Sequence, residues 1–452
     1  MRLPIALSLL LVAAVSLRAE APPLQGTLPE DLMPALNPLL KEAVERSPST
    51  ISASIALAAA EAGRYGAAAA LWPHLSGNVG YQVSDESISR GTTSTAKGIT
   101  YGLNVGQPIF QWGAYRNQKL IGDLTASISA KQFAEAYRLL AVTIREQYMG
   151  LVGKKIALRN TQFNLKLSQE ALAAQQARFD AGSSSQAELG NFRMSVEQAQ
   201  LDADRSQEDY DYGKRILTRL VGIDDLSEDS VPLEVPHPQY SGALADTVLT
   251  GFVGEGIEST FQSEMYQMQL RQWDLNYKIA AVTLLPKVSA GAGLSYSNQS
   301  SVSQTSISQV SVLQKSYNIS AAWSIFDGFA TTGAKLSALA NKRATERIRQ
   351  SYIDSAVDQI SDMRKQLGFE SRAMQLAEAH NALIAAEVKR LGQDKDLGYA
   401  SQATIDTGLL NLYATEFNMA FARTQYLSRW SEFISLAGID PALANLSPRY
   451  AR

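Results

Sequence analysis

The chain is written twice, with an offset of 216 residues: Ile109-Phe110 recurs as Ile325-Phe326, Gly182 as Gly398, and Gly222-Ile223 as Gly438-Ile439. The heptad phase recurs with them. Tyr137, Ile144, Leu151, Leu158, Leu165, Leu172 and Phe179 fall every seven residues, and one offset later stand Ile353, Ile360, Leu367, Met374, Asn381, Val388 and Lys395. Leu189, Val196, Ala203, Tyr210 and Leu217 match Ile405, Leu412, Met419, Tyr426 and Phe433 in the same way. One phase held through two helices and a turn marks an internal duplication, a single supersecondary unit used twice and packed on itself. It argues against the two or three ordinary domains that 452 residues would otherwise suggest.

The chemistry of the side chains excludes several classes. With 41 basic and 44 acidic residues, nothing points to a nucleic-acid partner. Cysteine is absent, which excludes disulfides, thiolate metal sites, cysteine nucleophiles and a lipid-modified N-terminal cysteine. His74, His237 and His380 lie far apart and none sits in a His-Glu-x-x-His pattern. There is no Walker A sequence and no Gly-x-Ser-x-Gly elbow. Gly291-Ala292-Gly293 lies in a strand pattern, where glycine serves close packing or curvature. No enzyme activity, cofactor or metal is expected.

Residues 1–21 read as a signal peptide. Arg2 supplies the positive start, residues 5–15 the apolar run, and Ala19-Glu20-Ala21 a small-x-small cleavage site. The run is well short of the roughly 20 apolar residues of a spanning helix. Later stretches are not apolar enough to cross a bilayer as helices, so a membrane role falls to strands or a surface.

Two segments change to period two. Leu75, Gly77, Val79, Tyr81 and Val83 alternate with polar or small residues, and Ile99, Tyr101, Leu103, Val105, Gln107 and Ile109 do the same. In the second copy the alternating residues are Val288, Ala290, Ala292, Leu294 and Tyr296, then Tyr317, Ile319, Ala321, Trp323 and Ile325. Each run predicts a strand of about 11 residues, the length of a tilted transmembrane strand. Ser/Thr/Gln-rich loops are expected at 85–97 and 298–314. One apolar and one polar face is the pattern of an outer-membrane barrel; an ordinary hairpin with one wet face is the alternative. Trp72, Phe110, Trp112, Phe326 and Phe329 cluster where strands meet helices, as a membrane-interface girdle or as local core packing.

A helix from about residue 114 to Phe179 follows the first hairpin, then a turn at Asp180-Ala181-Gly182 and a return helix to Val221. Roughly 65 residues at 1.5 Å each make about 100 Å, over three times the apolar thickness of a bilayer. Such a helix projects away from a membrane, and its seven-residue period imposes a left-handed supercoil. The expected division is a first repeat over 22–223 (hairpin 73–111, helical hairpin 114–221), a linker over 224–254, and a second repeat over 255–452 (hairpin 286–326, helical hairpin 330–437). The linker, with Pro232, Pro236 and Pro238, reads as a surface strap.

The doubled order of helix, hairpin, very long helix, turn and return helix resembles the TolC-like outer-membrane efflux proteins over nearly the whole mature chain. Gln107-Pro108-Ile109-Phe110-Gln111-Trp112-Gly113 and Ser324-Ile325-Phe326-Asp327-Gly328 resemble the family's strand-to-helix signature. Arg178-Phe179-Asp180-Ala181-Gly182 and Asp396-Leu397-Gly398-Tyr399-Ala400-Ser401 resemble its helical tips, and Leu220-Val221-Gly222-Ile223 and Leu436-Ala437-Gly438-Ile439 its repeat ends. The resemblance implies a mainly α fold with β: a homotrimer whose 12-stranded β-barrel continues into a periplasmic α-helical barrel. It implies an outer-membrane exit duct for tripartite efflux or type I secretion, served by a periplasmic membrane-fusion adaptor and an inner-membrane pump of RND or ABC type. A soluble periplasmic coiled-coil adaptor without a barrel is the competing reading, and the alternating strands discriminate against it.

The resemblance also implies acidic residues near the tip glycines that ring a periplasmic gate; the candidates are Glu188, Asp394, Asp396 and Asp406, with solvated helix ends as the plainer reading. Thr404 and Thr407 stand at matching places in copy two, and Ala400 where an arginine is common, so salt bridges that lock the gate are not carried over. Gly182, Ser183, Ser184, Gly398, Ala400 and Ser401 are the expected adaptor-docking tips.

Overall fold

The computed structural model describes residues 27–88, 92–302 and 307–447; the expected signal peptide lies outside them. The chain divides into two compact units, one drawn from Met1–Ala43, Leu139–Gly256 and Asp358–Ala442, the other from Val44–Arg138, Ile257–Val357 and Leu443–Arg452.

The second of these units carries the strands. β1 (His74–Ile88), β2 (Thr92–Phe110), β3 (Lys287–Val302) and β4 (Ile307–Ala322) form one antiparallel sheet in chain order. The register stacks the apolar alternation into rows. Leu75, Val105, Ala292 and Tyr317 stand abreast, then Gly77, Leu103, Leu294 and Lys315, then Val79, Tyr101, Tyr296 and Leu313. The strands are longer than the sequence suggests, at 15, 19, 16 and 16 residues. The expected loops at 85–97 and 298–314 are largely strand. Beyond Tyr81 and Ile99 the rows turn polar on both faces, as where Val83 and Lys97 meet Ser300 and Gln309. The hydrogen-bond ladder continues where the hydrophobic signal has ended. At the other end, β4 stops at Ala322, so Trp323 and Ile325 follow the strand instead of extending it. Pro108 has no N–H to give the ladder, and the register shifts between it and Phe110. The bulge sets Phe110, not Ile109, opposite Val288.

Helix α1 (Pro29–Leu32), α2 (Leu36–Arg46) and α3 (Pro48–Ala69) precede β1. Pro48 starts α3 at its first position, where its missing N–H has no intrahelical acceptor to lose. After β2, α4 (Ala114–Asp180) and α5 (Gln186–Val221) form the first helical hairpin; after β4, α8 (Ala330–Asp396) and α9 (Gln402–Leu436) form the second. The two long helices each have 67 residues and coincide at the 216-residue offset. Between the copies lie α6 (Gly242–Gly254) and α7 (Phe261–Ala281). The linker over 224–254 is therefore not a bare strap. It includes α6, which buries Ala245, Val248 and Phe252 and stands in the second copy where α2 stands in the first. The sequence hid α6 because Gly242, Gly251 and Gly254 blur its apolar period.

The heptad seam is graded. Tyr137, Ile144, Leu151 and Leu158 are buried in α4, Leu165 and Leu172 half-buried, and Phe179 exposed. In α8, Ile360, Leu367 and Met374 are buried while Asn381 and Val388 are half-buried. Asn381 accepts a hydrogen bond from Thr415 of α9 at 3.0 Å, which satisfies the polar intruder.

Within the helical unit the largest polar burial is Arg145 of α4, with no exposed surface. Its guanidinium donates to Glu30 at 2.5 and 2.9 Å, to Asp440 at 2.6 and 2.8 Å, and to Ser431 at 3.1 Å. The fork suits two carboxylates at once. It fastens α1 and the segment after α9 to α4.

Candidate functional sites at the strand joints and helical tips

Each strand pair meets its long helix through a two-residue left-handed turn. Trp112 and Gly113 have φ of 53° and 79°; one offset later, Gly328 and Phe329 have 65° and 69°. The aromatic and the glycine swap order between copies. A bulky residue at positive φ is strained by about 1–2 kcal/mol, and both copies keep one. Trp112 Nε1 donates to the Pro286 carbonyl at 2.6 Å, and its ring meets Phe110 edge-on at 4.8 Å. Phe326 and Phe329 pair edge-on at 5.4 Å. Trp72, Phe110, Trp112, Phe326 and Phe329 are all exposed. A second aromatic level, Tyr101 stacked with Tyr296 at 6.4 Å, lies further along the sheet.

Both tips share one construction. Gly182 and Gly398 are left-handed, with φ of 73° and 79°. The Gly182 N–H donates to Phe179 O at 2.8 Å and the Ser183 N–H to Arg178 O at 2.9 Å. In the second copy Gly398 donates to Lys395 O at 2.8 Å and Tyr399 to Asp394 O at 2.7 Å. This paired closure satisfies the last carbonyls of each long helix and needs the left-handed glycine. Three residues past each glycine a serine caps the return helix: Ser185 Oγ accepts from the Glu188 N–H, and Ser401 Oγ from the Thr404 N–H, each at 3.2 Å. Ser185, not Ser184, is thus the counterpart of Ser401. Sequence reading passed over it among three consecutive serines, although a Ser-x-x-Glu capping box was there to find.

The four acids near the tips differ in environment. Glu188 completes the capping box, accepting from the Ser185 N–H at 3.0 Å and from Ser184 Oγ at 2.8 Å. The backbone hydrogen bond from Ser185, aided by Ser184, holds its carboxyl below the usual range. Asp394 pairs with Arg390 at 3.0 Å one turn back, and Asp406 accepts from Gln402 at 2.7 Å. Asp396 is the exposed last residue of α8. Beside the second tip, Ile384, Val388 and Leu391 of α8 face Thr404, Thr407 and Gly408 of α9 across a cleft of about 510 Å³. The sequence reading also missed Phe369, Leu376 and Leu383, a second heptad row on α8, which stay 66, 74 and 69% exposed.

Each copy thus carries two strands with exposed apolar rows and a helical hairpin with a capped tip. Residues 39–222 match the family "Outer membrane efflux protein", in agreement with the resemblance read from the motifs of the first copy. No curated protein sequence matches the chain. Among solved structures, the Campylobacter jejuni CmeC outer membrane channel is similar at 15% identity with a TM-score of 0.70, over 99% of this chain and 98% of that one. The Neisseria gonorrhoeae MtrE outer membrane channel, in its open state, has a TM-score of 0.67 at 15% identity, over 90% of this chain and 89% of that one. The outer membrane protein VceC of Vibrio cholerae gives 0.62 at 15%, over 91 and 99%. The chain has the fold of these outer membrane channels, and its residues 39–222 carry the efflux-protein family match.

Proposed function

We propose that three copies of this chain form a passive exit duct through the outer membrane and periplasm, working in a tripartite efflux or type I secretion system. The observation that carries this reading is the sheet. Four strands present apolar rows to solvent, and among the described residues β1 and β4 are paired on one side only. In lipid an open edge leaves backbone groups unpaired, which closure into a 12-stranded barrel by three copies removes. The Phe369, Leu376 and Leu383 row supports the same assembly, since a heptad row left exposed among the described residues suits a neighbouring helix. The chain's own share of the duct is then structural: an apolar face to lipid, a polar face to the lumen, and no reaction to catalyse.

In this reading Trp72, Phe110, Trp112, Phe326 and Phe329 form the periplasmic-side interface girdle, and the residues before the first strand include a removed export signal. The tips at Gly182, Ser183, Ser184, Gly398, Ala400 and Ser401 dock a periplasmic membrane-fusion adaptor, which links the duct to an inner-membrane pump of RND or ABC type. The apolar cleft beside the second tip suits such a partner. Glu188, Asp394, Asp396 and Asp406, each present three times, ring the periplasmic mouth and favour cations. The test is single-channel recording on the purified protein in planar bilayers, with heat-modifiable mobility of the outer-membrane fraction. A conducting trimer is expected. A monomer without conductance overturns the reading.

A further inference from the structure

One charge stands among the apolar rows of the sheet. On β4, Leu313 shares a row with Tyr296 and Tyr101, and Tyr317 a row with Ala292 and Val105. Lys315 lies between them, opposite Leu294 and in the row of Leu103. Its neighbour Ser316 belongs to the other, polar face, where a Cβ on Gly293 would meet both Ser316 Oγ and Asn104 Oδ1. Lys315 is exposed. Among the described residues it is the one charged side chain on the apolar face between the row of Phe110 and Val288 and the pair of Tyr81 and Ile99. Asp85 and Lys97, on the same face, lie beyond that band in the polar outer rows. Lys315 has no ion-pair or hydrogen-bond partner among the described residues, and neither its own row nor the rows on either side hold an acid.

We propose that Lys315 holds the phosphate of a lipid headgroup at the outer rim of the barrel. The inference rests on the duct reading, in which this face meets lipid. A charge inside the apolar band is costly unless it reaches the interface or a counter-ion. Lys315 stands two residues from the row of Val105 and Tyr317, near the middle of the band, and two residues from the level of the stacked Tyr101 and Tyr296. Two residues at about 3.3 Å each, on a strand tilted by about 40°, rise roughly 5 Å. The extended stem of a lysine, about 6 Å long, lies along apolar surface and carries its ammonium up to the tyrosine level. That level is roughly 10 Å from the middle, close to the edge of a band about 25 Å tall. Tyrosine hydroxyls belong at this depth, where rings are buried and O–H groups are wet. Tyr296 is diagonal to Lys315 across the strand pair, about 7–8 Å away, so its O–H donates to the same phosphate that the ammonium attracts. A lysine on an edge strand also discourages stray edge-to-edge pairing, a role that needs no lipid and that the experiment separates.

The test is native mass spectrometry of the purified full-length protein titrated with phosphatidic acid, phosphatidylglycerol or phosphatidylcholine, with conductance recorded on the same preparation. Phosphatidic acid carries a phosphate monoester and phosphatidylglycerol an anionic diester; phosphatidylcholine sets the background. The wild type should retain one anionic lipid per copy, about fivefold more tightly than Lys315→Met does, the effect of one lysine at a lipid surface. Lys315→Arg should restore retention. Lys97→Met, outside the band, should leave it at the wild-type level. Equal retention of the two anionic lipids assigns any anionic phosphate to the site, and a preference for phosphatidic acid assigns a monoester. Retention unchanged in Lys315→Met, whether or not that variant aggregates, or lost in Lys97→Met instead, overturns the site. A conducting trimer without Lys315-dependent lipid overturns this inference alone, whereas a monomer without conductance overturns the duct reading and this inference with it.

Discussion

Val105→Lys measures directly whether the apolar rows face lipid. Val105 shares its row with Leu75, Ala292 and Tyr317. The apolar band reaches from the row of Phe110 and Val288 to the pair of Tyr81 and Ile99. Val105 is five residues from one limit and six from the other. At about 3.3 Å per residue that is roughly 16 and 20 Å along the strand. A tilt of about 40° reduces these to roughly 13 and 15 Å of height, close to the middle of an outward apolar band about 25 Å tall. A lysine at the midplane costs about 2–4 kcal/mol per chain, hence roughly 6–12 kcal/mol in a symmetric trimer. Asn104, one residue away, points to the opposite face, where its amide donates to Asn78 at 3.4 Å. Asn104→Lys should leave assembly near wild type and change conductance. The assay is the yield of heat-modifiable trimer after refolding into vesicles, with each variant's conductance recorded. Equal tolerance of the two lysines refutes the assignment of faces.

Removing the fork of Arg145 with Arg145→Met strands Glu30 and Asp440 as buried unpaired charges; a loss of about 3–5 kcal/mol is expected in denaturant unfolding of the helical unit, and a loss under 1 kcal/mol would mean that water reaches the cluster. Gly398→Ala, at φ of 79°, should cost about 1–2 kcal/mol at the tip and speed trypsin cleavage there, with Gly182→Ala its counterpart. Exchanging Asp394, Asp396 and Asp406 for Asn together should lower cation selectivity and trivalent-cation block in bilayer recordings; unchanged values of both would leave these acids as solvated helix ends. A bulky insertion after Ser184 or Ser401 should stop export while the trimer persists, and export that continues in both takes the tips out of the docking surface.

The parts of the fold legible in sequence are those where one physical period dominates. The seven-residue seam from Tyr137 to Phe179 located α4, because the apolar period persists along the helix even where burial fades toward the tip. Leu75 to Tyr81 located β1 because one face is apolar. The outer ends of the strands were not legible, because Thr92–Thr95 and Ser297–Ser301 carry polar residues on both faces while the backbone ladder continues. Helix α6 escaped because its three glycines dilute the period. Arg145 was silent for a different reason: its partners lie 115 and 295 residues away, and no local pattern encodes an ion pair of that span. At the tips, the glycines were readable from their turn, but Asp394 and Glu188 could not be told apart until Arg390 and Ser185 were seen beside them.

The swapped pair Trp112-Gly113 and Gly328-Phe329 has a consequence for how the two halves have diverged. If only backbone geometry mattered, glycine at both left-handed positions would relieve the strain in both copies. Each half instead retains one ring and lets it change places with the glycine. Common to both copies is the presence of a large flat side chain at the knuckle, not its address. On the proposed membrane reading such a ring would act as a waterline mark: in a threefold assembly six of them would set how deep the barrel floats, and a molecule in which Trp112 and Phe329 were both trimmed to glycine should fold more easily yet ride at an undefined depth.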